Sequence, residues 1–207
     1  MNKFKAVGFD YGGVIAGKTG VAFGQEVSAA VGISFEQYKE VYFRHNKKVN
    51  IEGMAWPEFW RIFLDDIGQP DKLSAVIGVG DRYRELLNVI NPEMVALVDK
   101  VREAGYKTGL LSNNSHEGGD RMRAEGLNKH FDVFHISEET GFMKPQPEAF
   151  DAFAKDLGVK HSELVFIDDS EKSLSTAQGL GFTPLLFESY EKLMNQLKQL
   201  GVLSQPS

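Results

Sequence analysis

The 207-residue chain predicts an α/β protein: a doubly wound parallel sheet with a helical insertion after its first strand. Three observations carry this. Five short apolar runs are continuous rather than alternating, which suits strands buried on both faces. Helical patterns separate these runs, as in successive βαβ units. Residues 17–90 carry helix patterns alone and no good strand.

In chain order the first strand is Ala6-Val7-Gly8-Phe9. The insertion follows, with Phe35, Tyr38, Tyr42, Trp56, Phe59, Trp60 and Phe63 expected mostly in its own core. Glu52-Gly53 and Gly68-Gln69-Pro70-Asp71 are its turn signals. Asn91-Pro92-Glu93 reads as N-cap, N1 proline and first-turn acid of a helix that Gly105 ends. Met94, Leu97, Val98 and Val101 fall on one face of that helix. The second strand is Thr108–Leu111, and Arg121-Met122-Arg123 reads as an exposed helix face beyond it. Val133–Ile136 is the third strand. A helix from Pro147 then buries Ala149, Phe150, Phe153, Ala154 and Leu157. Leu164–Ile167 and Pro184–Phe187 complete the sheet, and the tail from Gly201 to Ser207 is expected to be loose. The domain expectation is a core of residues 1–16 and 91–207 with the insertion at 17–90.

Composition removes whole classes of function. There is no cysteine, hence no disulfide framework, no Cys-ligated zinc and no thiol nucleophile. Acidic residues outnumber basic ones by 29 to 23, a net charge of −6, so a nucleic-acid partner is not expected. No apolar run approaches the roughly 18 residues of a membrane span. Asp10 arrives before any signal-peptide core forms. A cytoplasmic protein is expected, without a membrane partner.

In open α/β sheets ligands bind beyond the carboxyl ends of the strands. The first strand ends in Asp10-Tyr11-Gly12-Gly13, the second in Ser112-Asn113-Asn114 and the fourth in Asp168-Asp169-Ser170. Lys144 stands just before a helix. Singly, these are ordinary turn and cap residues. Together, three neighbouring carboxylates repel unless a cation offsets them. Mg²⁺ suits the set, since it takes a few carboxylates and bridges to phosphate. A lysine nearby suits a polyanion. The constellation points to phosphoryl chemistry.

Four ordered motifs resemble the haloacid dehalogenase superfamily of aspartate-nucleophile hydrolases. They are Phe9-Asp10-Tyr11-Gly12-Gly13-Val14, Leu110-Leu111-Ser112-Asn113, Lys144-Pro145-Gln146-Pro147-Glu148-Ala149-Phe150 and Phe166-Ile167-Asp168-Asp169-Ser170. Within it the chain looks most like sugar-phosphate and small-metabolite phosphatases whose first motif reads Asp-x-Gly. The resemblance implies a Rossmann-like core with a helical cap at 17–90 and a small phosphorylated metabolite as substrate. It also implies an aspartyl-phosphate on Asp10, the kind of covalent intermediate that splits one hard step into two. Metal ligands would be Asp10, the Gly12 carbonyl, Asp169 and Asp168, the last directly or through water. Ser112, the Asn113 backbone N–H and Lys144 would hold the phosphoryl oxygens.

Gly12 departs from the pattern. Phosphatases of this superfamily commonly place a second Asp there as acid and base, and such a group is worth about 10²–10⁴-fold in rate. The expectations are therefore residual turnover or, alternatively, a catalytically silent phosphometabolite-binding protein. A third outcome is that another residue, such as His45 or Glu52 of the insertion, takes that role. His116, His130, His135 and His161 lack metal-ligand spacing and read as structural or exposed. Two rivals rank lower. Gly12–Thr19 matches the P-loop pattern letter for letter, but its β-branched Val14-Ile15 suits a phosphate cradle poorly. A metal-free haloacid dehalogenase would leave the paired acids Asp168-Asp169 unexplained.

Overall fold

The apolar runs pair as one sheet. The computed structural model describes residues 3–17, 20–83, 86 and 89–204. Its strands are β1 (Ala6–Phe9), β2 (Lys107–Ser112), β3 (Val133–Ile136), β4 (Leu164–Asp168) and β5 (Thr183–Leu186), all parallel in the order β3-β2-β1-β4-β5. Helices α1 (Gly20–Val31), α2 (Phe35–His45), α3 (Lys47–Asn50), α4 (Trp56–Asp66) and α5 (Leu73–Tyr83) lie between β1 and α6 (Pro92–Glu103). After β2 comes α7 (His116–Ala124), after β3 come α8 (Ser137–Thr140) and α9 (Pro147–Leu157). The helices α10 (Glu171–Gly179) and α11 (Tyr190–Gln199) follow β4 and β5. No helix among the described residues is long and apolar enough to cross a membrane.

Both faces of the sheet are covered, which is why its strands are mainly continuous apolar runs rather than alternating ones. Val7, Phe9, Val165 and Ile167 pack with Met94, Leu97, Val98 and Val101 of α6 and with Leu193 and Leu197 of α11. Ala6, Leu111, Leu164 and Phe166 face Phe150, Phe153 and Leu157 of α9 and Leu174 and Ala177 of α10. Gly8 and Gly109 sit opposite each other in the β1–β2 register. A Cβ on Gly8 would come within 2.6 Å of the Phe153 ring, and one on Gly109 within 2.5 Å. The paired glycines thus form the seat of Phe153. Phe153→Ala should empty that seat and lower stability by about 3–5 kcal/mol, read from the denaturant midpoint at unchanged slope.

The helices between Gly20 and Tyr83 bury a separate core of Val27, Tyr38, Phe59, Trp60, Phe63 and Leu64, with Phe35, Tyr42 and Trp56 packed against it. The chain leaves and re-enters the sheet side by side: Gly17 N–H donates to Val89 O and Asn91 N–H to Ile15 O. A third tie runs from Ser137 Oγ to Asn50 O, at 2.7 Å.

Two local expectations are corrected. Met122 is fully buried in the main core, between arginines. The tail turns back rather than hanging loose: Val202 N–H bonds Leu197 O and its side chain is buried, while 205–207 lie outside the described residues.

Candidate active site

The strand order reverses around β1, so its carboxyl end and those of β2 and β4 border one crevice. Phe9 is level with Leu110 and Ile167, which brings Asp10 beside Asp168 and leaves Ser112 one step further along β2. Asp10 N–H continues the ladder to Ile167 O at 2.9 Å.

Lys144 binds this end of the sheet together. Its Nζ lies 2.7 Å from Asp10 Oδ1 and 2.7 Å from Asp168 Oδ2. Asp10 Oδ1 also accepts from Tyr11 N–H, and Asp168 Oδ1 from Ser170 N–H. Oxygens of Asp10, Asp168 and Asp169 lie within 4.8 Å of one another. Lys144 and Asp168 are buried. Burial pushes the Asp10 carboxyl up to about 7; Lys144 works against this, and Asp168 and Asp169 add to it. Burial works against the Lys144 ammonium too, but Asp10 and Asp168 hold its pKa above the usual lysine value.

Ionised, three carboxylates against one ammonium leave two negative charges among hard oxygen donors. That donor set fits a small divalent cation. Gly13 is part of the fit. Its φ is +80°, and a Cβ there would fall 2.5 Å from Asp169 Oδ2. Only glycine lets the loop lie against that carboxylate without strain.

Asp10, Asp168, Asp169 and Lys144 are therefore brought together as the sequence suggests. Ser112 is buried at the end of β2. The Asn113 side chain has a task that spacing did not reveal: its Nδ2 donates to Lys144 O and its Oδ1 accepts from Lys144 N–H, both at 2.7 Å. This reciprocal pair clips the Lys144 loop, with its cis Lys144–Pro145 bond, onto β2. Gly12 is exposed, and a Cβ there would meet nothing within 4 Å. His45 does not reach into that space as a free imidazole; its Nε2 is 2.8 Å from Asp66 Oδ2. Glu52 is exposed, 3.9 Å from Lys47.

The remaining histidines meet carboxylates: His130 with Asp99, His135 with Asp156, His161 with Asp151. His116, Asp120 and Glu139 gather at the surface, where Arg123 pairs with both acids. The P-loop reading fails on backbone geometry. Gly13, Val14 and Ala16 spend their N–H groups within the loop, on Ala16 O and Tyr11 O, and Val14 and Ile15 are buried. Lys18 and Thr19, the ends of that motif, lie outside the described residues.

A family model described as haloacid dehalogenase-like hydrolase matches residues 4–181, and so takes in the three strand-end segments and the Lys144 loop. The chain belongs to this family. As a haloacid dehalogenase-like hydrolase it is similar to mouse Bifunctional epoxide hydrolase 2, at 27% identity over 117 residues, 54% of this chain and 21% of that protein. It is also similar to Glyceraldehyde 3-phosphate phosphatase of Methanopyrus kandleri, at 27% identity over 136 residues, 63% of this chain and 58% of that one. In both, the match spans less than two thirds of the relative. Among solved structures, a HAD family enzyme of Bacteroides thetaiotaomicron in complex with magnesium and inorganic phosphate superposes with a TM-score of 0.62 at 23% identity, covering 92% of this chain and 98% of that one. At that identity the likeness is one of fold.

Proposed function

We propose that this hydrolase is a phosphatase that releases inorganic phosphate from small phosphate monoesters, with Mg²⁺, through an aspartyl-phosphate on Asp10. The observation that carries the reading is the buried Lys144 bridging Asp10 and Asp168 with Asp169 alongside, all at the carboxyl end of the sheet. Three carboxylates against one ammonium favour a bound cation, which a metal-free carbon–halogen hydrolysis does not call for. The phosphatase named among the relatives and the magnesium and phosphate in the Bacteroides structure support the same reading.

In it, Asp10 is the nucleophile. Its carboxylate is anchored through Oδ1 by Tyr11 N–H and Lys144, which leaves Oδ2 for in-line attack on phosphorus. Lys144, the Ser112 hydroxyl and the Asn113 N–H balance charge on the phosphoryl oxygens, and the Asn113 side chain keeps Lys144 in place. Asp10, Asp169, Asp168 and the Gly12 carbonyl would hold Mg²⁺, which when bound offsets the repulsion between carboxylate and phosphate. The helices of residues 17–90 act as a cap that excludes water over the strand ends.

A panel of phosphorylated metabolites with purified protein tests this. Phosphate release should require Mg²⁺, disappear in EDTA and return on adding Mg²⁺ back. Stoichiometric binding of the same esters without release would instead mark the silent binding protein.

A further inference from the structure

Phosphoryl transfer to Asp10 ends on a leaving oxygen that needs a proton. The titratable groups facing Asp10 are Lys144, Asp168 and Asp169. Each is engaged. Lys144 donates to both Asp10 and Asp168, Asp168 also accepts from Ser170 N–H, and Asp169 lies against Gly13 in the cation set. Two residues past Asp10, at Gly12, a side chain would project into space with no heavy atom within 4 Å. Among the described residues, none beyond the adjoining ones comes within 4 Å of a Cβ at Gly12, and His45 is held by Asp66.

Resting on the reading of Asp10 as nucleophile, we propose that the enzyme's substrates are phosphates of acidic hydroxyls, those whose oxygen departs without help from a protein acid. Anomeric sugar phosphates, acyl phosphates and the phosphates of enols and phenols are biological members of that class; esters of ordinary primary alcohols are outside it. In the first step an Asp10 oxygen bonds to phosphorus while the P–O bond to the leaving group breaks. The electron pair stays on the departing oxygen, which takes its proton from bulk water. In the second, water attacks the aspartyl-phosphate and the P–Oδ bond breaks, returning its pair to the carboxylate. The proton released goes to solvent. This step needs no acid because a carboxylate leaves unaided. Without an acid in the first step, its rate follows the leaving-group pKa steeply.

The experiment measures kcat/KM with Mg²⁺ over aryl and alkyl phosphates of graded leaving-group pKa, for the natural protein, Gly12→Asp and Gly12→Asn. Gly12 lies outside the left-handed region and its side-chain space is open, so both variants fit the backbone. From the most to the least acidic leaving group, the natural protein should lose about 10²–10⁴-fold more than Gly12→Asp, which gains the missing acid. Gly12→Asn, of the same size but without a proton to give, should keep the steep dependence. Equal slopes for the natural protein and Gly12→Asp would overturn the proposal while leaving Asp10 as nucleophile intact. No release from any ester, acidic ones included, would overturn both. Should Gly12→Asp fail to fold, a hexose 1-phosphate against the same hexose 6-phosphate decides on the natural protein alone. The 1-phosphate should be favoured by at least about tenfold, and a ratio near one sinks the proposal.

Discussion

Asp10→Asn is expected to remove phosphate release to the limit of detection, a fall on the order of 10⁴-fold or more. The amide keeps the shape of the carboxylate and can still accept from Tyr11 N–H, but it cannot bond to phosphorus and return a carboxylate. What survives is the electrostatic holding of the ester by Lys144 and its neighbours, so binding of substrate should outlast turnover. The loss should not come from unfolding, and the sign of the effect on stability shows why. Burial places the Asp10 carboxyl at about 7 in the folded chain, against the ordinary 3.8. A carboxyl raised in the fold weakens the metal-free protein as pH climbs from about 4, and the full penalty is reached above 7. The neutral amide carries no such penalty. In EDTA at pH 8 the variant should therefore melt at or above the temperature of the natural protein. A thermal melt beside the phosphate assay checks both halves. Turnover within tenfold of the natural protein would remove Asp10 from the nucleophile's role.

Much of the site was legible because its parts sit where strands stop. A continuous apolar run that ends in Asp announces both the strand and a carboxylate at its carboxyl end, and this held for Asp10 and Asp168. What the sequence hid depends on contacts between distant residues. Asn113 and Lys144 are 31 positions apart, and nothing in either motif states that one side-chain amide reads the other's backbone. The glycine pair under Phe153 is visible only once β1 and β2 are set in register. Gly13 had no side chain to attract notice, yet its φ and its nearness to Asp169 make it part of the acidic cluster. Met122 was misread for a different reason. The small residues Gly118 and Gly119 stand one turn before it, so α7 shows no apolar stripe to betray its buried face.

Lys144→Met is expected to destabilise the fold as heavily as Phe153→Ala, through charge rather than packing. The side chain keeps much of its volume but loses the charge, and Asp10 and Asp168 then face each other with no cation between them. Breaking a buried pair by removing one partner costs about 3–5 kcal/mol, because the remaining charge is stranded in a poor solvent. For a chain of this size each kcal/mol moves the melting temperature by about 2–4 °C. In EDTA the variant should thus melt roughly 6–20 °C lower. The charge count makes the prediction sharper than a simple loss. At a pH where all three carboxylates are ionised, losing Lys144 leaves three negative charges instead of a net two, so a divalent ion offsets relatively more of the repulsion. Adding Mg²⁺ should raise the melting temperature of the variant by more than it raises that of the natural protein. Phosphate release should still fall, since nothing replaces the ammonium beside the phosphoryl oxygens. An equal Mg²⁺ shift in both proteins would mean that the cation and Lys144 do not share these carboxylates, and the acidic cluster would then not be the metal site.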